Sequence, residues 1–295
     1  LDRRGLGLKT PSDQPECIWP LAAELGEGPL WWSGALWFTD IKQDRIHRFD
    51  PATGQGKSWE APAAPGFLAP LRDGGFLVGA KLGLFRFDPD NGNLRFLEAV
   101  EPDRLGNRLN DGAVDPKGRL WFGSMDDSEK DSSGALYCLR PGGPEAMDEG
   151  YVITNGPAFS PDGRTLYHTD TLEKVIHRFD VSEEGALSGK RIFVRIEDGA
   201  GYPDGPTIDA EGCLWTGLFG GWAARRYAPD GALVSEVRFP VANVTKLAFD
   251  GTIAYATTAW KGLDKAARSA QPLAGGLFRF EVKIPGLPQQ AMRDG

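Results

Sequence analysis

Cysteine is scarce in this chain, as are the other features that would settle its class at once. Three cysteines, Cys17, Cys138 and Cys213, lie far apart in 295 residues. The set is odd and has no paired spacing, which argues against a disulfide framework and suits free thiols in a reducing compartment. No run of Lys or Arg occurs and the formal net charge is −8, so the clustered basic face of a nucleic-acid-binding protein is missing. No apolar stretch approaches the ~20 residues a membrane-spanning helix requires. The polar start, Leu1 to Glu16, has no charged-then-apolar secretion segment. These absences leave a soluble cytoplasmic protein without nucleic-acid or membrane partners, monomeric or weakly self-associating. Residues 1–15 are expected to be a disordered or extraneous tail and 16–295 a single domain.

What the chain does have is turns. Its 39 glycines and 22 prolines punctuate short segments of period-two alternation, such as Ala35 to Thr39, Arg45 to Phe49 and Lys174 to Phe179, which read as strands. No helix of ordinary length is required anywhere. One pattern recurs six times: a small loop, a Gly-bearing turn, an aromatic or apolar anchor, then an Arg-aromatic-Asp strand. The anchors are Trp37, Leu77, Trp121, Tyr167, Trp215 and Tyr255, at intervals of 40, 44, 46, 48 and 40 residues. Periods of that size mark units that cannot bury an apolar face alone and must stack on copies of themselves. The repeat crosses the chain midpoint unbroken, and a domain of this size buries roughly 75% of its unfolded surface, enough for a core without staples. The expected fold is all-β, a six-bladed propeller. Its ring would be closed by an N-terminal strand around Cys17 to Trp19 pairing with the last copy, Gly276 to Glu281, which removes an exposed sheet edge.

Counting back from each anchor leads to one recurring slot. It holds Glu27, Asn110, Asn155 and Asp204, ten to twelve residues before their anchors, with Leu68 and Thr245 in the other two copies. Rotation about a ring axis makes such positions converge on the central channel. Glu27, Asn155 and Asp204 would supply two carboxylates and an amide carbonyl there. All are oxygen donors, suited to Ca²⁺, Mg²⁺, Mn²⁺ or Fe²⁺, with Zn²⁺ also accommodated. Three protein ligands would leave positions open for water and substrate. The same convergence also suits ordered water or an ion that merely staples blades. Each slot residue is followed by Gly or Asp-Gly, which lets the backbone approach a ligand closely. The acids Asp73, Asp115, Asp162 and Asp209 are read as turn chemistry. His47 and His177 share a register and are read as repeat residues, and His168 as a packed strand residue.

The segments Leu25-Gly-Glu-Gly-Pro29, Asn107-Arg-Leu-Asn-Asp-Gly112, Thr154-Asn-Gly-Pro157 and Tyr202-Pro-Asp-Gly205 resemble the motifs of the senescence-marker-protein/gluconolactonase family, the regucalcin-like sugar lactonases. The similarity runs from about Glu16 to Val282 and takes in all six copies. It implies a six-bladed propeller holding one divalent metal and hydrolysing aldonic-acid lactones. It also implies that the metal lies on Glu27, Asn155 and Asp204, that Arg108 and Asn110 hold sugar hydroxyls, and that Asp127 stands where the family has an acidic substrate contact. The stretch Tyr167 to Lys174 resembles bacterial members acting on xylono-, arabinono- or gluconolactone. On this reading the cation polarises the lactone carbonyl and Asp204 takes the proton of the attacking water. Two other readings stay open: a paraoxonase-like esterase or phosphotriesterase, and a calcium-binding regulator or scaffold without catalysis.

Overall fold

The computed structural model describes residues 14–293, so most of the expected tail at 1–15 lies outside the described residues. Within them the chain forms six four-stranded antiparallel sheets arranged as a β-propeller. Five sheets are consecutive meanders. The sixth combines three late strands with the first described strand, Glu16–Trp19, which pairs with Leu277–Glu281. One short helix occurs, Lys265–Ala270, capped by the Asp264 side chain accepting from the Ala267 amide. No helix among the described residues is long and apolar enough to cross a membrane.

Each anchor lies on the second strand of its sheet, opposite a residue of the innermost strand: Trp37 faces Leu30, Trp121 faces Ala113, Tyr167 faces Ala158 and Trp215 faces Thr207. Apolar residues from adjacent sheets meet in the gaps between blades. Leu30, Trp37, Val78 and Phe87 fill the gap between blades one and two, and Leu36, Phe38, Tyr255 and Leu277 fill the gap between blades six and one. Six such layers, with a small further cluster of Leu25, Ile41, Ala64 and Ala259, make up the core of the described residues. This is the stacking that the repeat demands, since a lone sheet would leave its apolar faces in water.

The innermost strands are Gly26–Trp32, Phe67–Pro70, Asn107–Val114, Thr154–Phe159, Tyr202–Ile208 and Asn243–Asp250. Five of them carry a bulge at the slot, where two residues oppose one on the neighbouring strand. A bulge bends the strand and re-aims its side chains. Blade two has none: Leu68 pairs directly with Val78 and is buried in the apolar layer beside blade one. Leu68 therefore does not occupy the slot, and its shorter offset from Leu77 reflects the missing extra residue. Across the far mouth of the ring runs the C-terminal segment, with Leu287 N–H donating to Ile208 O (3.2 Å) in blade five and Met292 N–H to Pro70 O (2.8 Å) in blade two.

Candidate active site and metal centre

The bulges of blades one, four and five turn Glu27, Asn155 and Asp204 into one cavity of about 280 Å³ on the near side of the ring. All three are almost fully buried. The glycines that follow them serve the neighbouring blade: at Gly28 (φ 55°) a Cβ would lie 2.9 Å from Gly66 O, and at Gly156 (φ 89°) it would lie 2.8 Å from Pro206 Cγ. The expectation of close approach to a ligand is thus replaced by close approach of blade to blade.

A chain of hydrogen bonds orders this floor. Arg108 Nη1 donates to Asn110 Oδ1 (2.6 Å), and Asn110 Nδ2 donates to Asn155 Oδ1 (3.1 Å) and Thr154 O (2.6 Å). Asn155 Nδ2 donates to Thr171 Oγ1 (3.0 Å). The Asn155 amide therefore turns its oxygen to the cavity.

Glu27 and Asp204 lie within hydrogen-bonding reach of each other. Burial, then the charge of Asp111, pushes Glu27 up to about 7 despite the Gly28 amide that donates to it. Burial, then the Glu27 and Asp111 carboxylates, raises Asp204 well above the usual carboxylate range. Two dry carboxylates forced together ionise readily only with positive charge beside them. No group of three or more His, Cys, Asp or Glu side chains among the described residues is placed to hold a metal ion. Here two carboxylates and an amide oxygen meet instead, a donor set that fits a hard divalent cation.

Asp127 stands apart from the cavity lining. Burial opposes its ionisation, but the Lys42 hydrogen bond and the charges of Arg108, Lys42 and Lys81 outweigh it and hold the carboxyl at about 2. The acid of this loop that does line the cavity is Glu129, ion-paired with Lys261 of blade six. Neither residue was singled out from the sequence, because both sit in loops outside the repeat register. Leu25, Met125, Ile153 and Phe219 add apolar wall.

Beneath the floor Lys246 Nζ donates to both Asp111 oxygens (2.6 and 2.7 Å), with both side chains buried. A signal for this pair was present: Asp111 follows slot residue Asn110, Lys246 follows Thr245, and the two copies are three blades apart. His168 is fully buried, edge-on to Tyr151 (4.9 Å between ring centres), and belongs to the blade interior. Burial lowers its pKa to about 3, which keeps the ring neutral.

The family described as SMP-30/Gluconolactonase/LRE-like region matches residues 25–260. The chain belongs to this family. Within it, a 6-deoxy-6-sulfogluconolactonase of Pseudomonas putida is 31% identical, the match covering 92% of this chain and 96% of the relative. Regucalcin of Homo sapiens is 32% identical over 92% and 94%. The crystal structure of a calcium-binding protein, regucalcin from Agrobacterium tumefaciens, superposes with a TM-score of 0.90 at 30% identity, covering 94% of this chain and 97% of that one. This member of the SMP-30/gluconolactonase family is built on a six-bladed propeller.

Proposed function

We propose that the protein opens aldonic-acid sugar lactones, gluconolactone or a pentonolactone, to the free acids in a reaction dependent on one divalent cation held by Glu27, Asn155 and Asp204. The observation that carries this reading is the meeting of two buried carboxylates and one oriented amide oxygen in a cavity of sugar-ring size, within a chain of lactonase kinship. When bound, such a cation polarises a carbonyl oxygen and acidifies water.

The chain's own residues do the rest. With the cation bound, Asp204 would be ionised, and it is the carboxylate placed to take up the proton of the attacking water. Arg108, fixed by Asp127 and Asn110, presents its guanidinium to ring hydroxyls and holds the lactone in register for attack. Asn110 fixes the same edge of the ring and steadies Asn155 through its amide. The apolar wall of Leu25, Ile153 and Phe219 excludes bulk water behind the ring.

The test is a pH-stat panel of gluconolactone, xylonolactone and arabinonolactone against aryl esters and phosphotriesters, with and without chelator. Lactone opening that disappears on chelation, with circular dichroism unchanged, is expected. Turnover confined to esters or phosphotriesters would instead support the paraoxonase-like reading. Asp204→Asn is expected to lower kcat by at least about 10²-fold, and near wild-type turnover would remove it from the mechanism.

A further inference from the structure

The cavity is polar over one part of its circumference only. Beyond the three candidate metal ligands, its polar lining comes from blade three, as Arg108, Asn110 and Glu129, and from Lys261 of blade six. In the arc between those blades, blades four and five present Ile153, Leu172, Tyr202 and Phe219. The polar groups of this arc are already engaged or lie at its rim. Thr171 N–H donates to Ile153 O (3.2 Å), and the Thr171 hydroxyl accepts from Asn155. Tyr202, the cross-strand partner of Phe219, carries a phenol at the rim. Lys174 lies over the Tyr202 ring at 5.1 Å, but it is ion-paired with Asp198, and neither charge lines the cavity. Ile153 and Phe219 are half-buried, whereas Leu172 and Tyr202 are 41% and 40% exposed. A single exposed leucine is ordinary; here two exposed apolar side chains continue a buried apolar wall outward to solvent.

A sugar lactone has two unlike edges on either side of its carbonyl. One carries the hydroxyl-bearing carbons, and the other carries the ring oxygen and the exocyclic carbon. With Arg108 and Asn110 holding the hydroxyl edge against blade three, the exocyclic carbon turns to the arc of blades four and five. A hydroxymethyl group there gives up its water with no protein partner short of the rim, which costs free energy. An alkyl group loses nothing and buries apolar area. We infer that Ile153, Phe219, Leu172 and Tyr202 form an apolar subsite for the exocyclic carbon, and that the preferred substrate is a terminally deoxygenated aldonolactone, ending in a methyl or short alkyl group in place of a hydroxymethyl. This rests on the lactonase reading and names the substrate class within it. Ile153 and Phe219 set the fit of the first carbon, while Leu172 and Tyr202 leave a way out for a longer chain.

The experiment compares a hexonolactone with the lactone of the same stereochemistry whose terminal hydroxymethyl is replaced by methyl, and with its ethyl and propyl homologues. The wild-type protein is expected to show kcat/KM at least about tenfold higher for the methyl compound than for the hydroxymethyl one, and to keep that advantage for the homologues. Ile153→Thr, which sets a hydroxyl in the wall, is expected to lower the methyl-to-hydroxymethyl ratio at least about fivefold. Leu172→Ser, a change at an exposed position that the fold tolerates, should reduce turnover of the ethyl and propyl compounds relative to the methyl one. Leu105→Ser, an exposed leucine outside the cavity lining, should change neither ratio. Calorimetric titration of the opened acids gives a readout without turnover: the methyl-terminated acid should bind more tightly than the hydroxymethyl acid, with a more negative heat-capacity change. If the hydroxymethyl lactone is opened as fast as every alkyl-terminated one, the inference fails and the lactonase reading stands. If Ile153→Thr and Leu172→Ser both fold and keep the wild-type ratios, the arc is only packing and the inference also fails. If no lactone is opened and neither acid binds, both readings fall.

Discussion

Asn155 carries two chemically opposite ends on one amide, and only its oxygen can face a cation. Thr171 Oγ1 accepts from the amide nitrogen at 3.0 Å and so decides which end points inward. Thr171→Val should remove that preference and weaken divalent-metal affinity by about 10–100-fold, the usual effect of losing a supporting partner. Thr171→Ser should retain it, and isothermal titration checks both. Equal affinity for the valine variant would mean that Asn110 alone orients the amide. Glu27 sets a pH dependence that depends on metal. Its carboxyl titrates from 4.5 in the unfolded chain to about 7 when buried, so the folded metal-free protein binds the extra proton between those values. The stabilisation from this group is complete below the unfolded value and is lost as pH rises through about 7. Thermal melts of chelated protein should therefore fall from pH 5 to pH 8. With a saturating cation, which requires the ionised carboxylates, that decline should shrink or reverse.

The turn before each anchor strand looks uniform in sequence and is not uniform in structure. Asp209, first residue of its turn, accepts from two backbone amides, from Trp215 Nε1 (3.0 Å) and from Arg226 Nε (2.7 Å), and is fully buried. Asp115 repeats the arrangement with Trp121 and Arg119. Asp162, third in its turn, bonds only Ser160 and the Arg164 amide and is exposed. Asp209→Ala should cost about 3–5 kcal/mol, since it strips a largely buried guanidinium of its buried partner, leaving it to the exposed Glu211, and frees two turn amides, whereas Asp162→Ala should stay within about 0.5 kcal/mol. Urea titration distinguishes them. The residue types gave turn chemistry correctly for all of these acids, but burial is a tertiary property and could not be read from the motif. The blade count, the strands and the slot register were legible because the repeat imposes them on residues such as Trp37 and Trp121 every forty-odd positions. The bulges were not, because one inserted residue is indistinguishable from loop-length variation. Leu68 was therefore aligned with Glu27, although blade two lacks the extra residue. Asp127 stands out in the sequence and Glu129 does not for a similar reason: position after Met125 is visible there, but the curl of the loop that brings Glu129 to the cavity is not.

At the scale of the whole ring, the buried Lys246–Asp111 pair links blade six to blade three across the channel, directly under the slot. Asp111 also accepts from the Gly156 amide at 2.8 Å, which ties the pair to the bulge of blade four beside Asn155. Removing the lysine alone leaves a carboxylate dry and unpaired next to Glu27 and Asp204, where a third uncompensated negative charge would raise the proton affinity of both. Lys246→Met should thus destabilise the protein by about 3–5 kcal/mol, while the double change Asp111→Leu/Lys246→Met, which removes both charges, should recover most of the loss. Calorimetric melts of the three proteins measure this directly. If the pair serves only stability, the double variant should bind divalent metal as the wild type does. The link to the Gly156 amide predicts otherwise: without Asp111 that amide loses its acceptor, the blade-four bulge loosens, and metal affinity falls even though the melting temperature has returned.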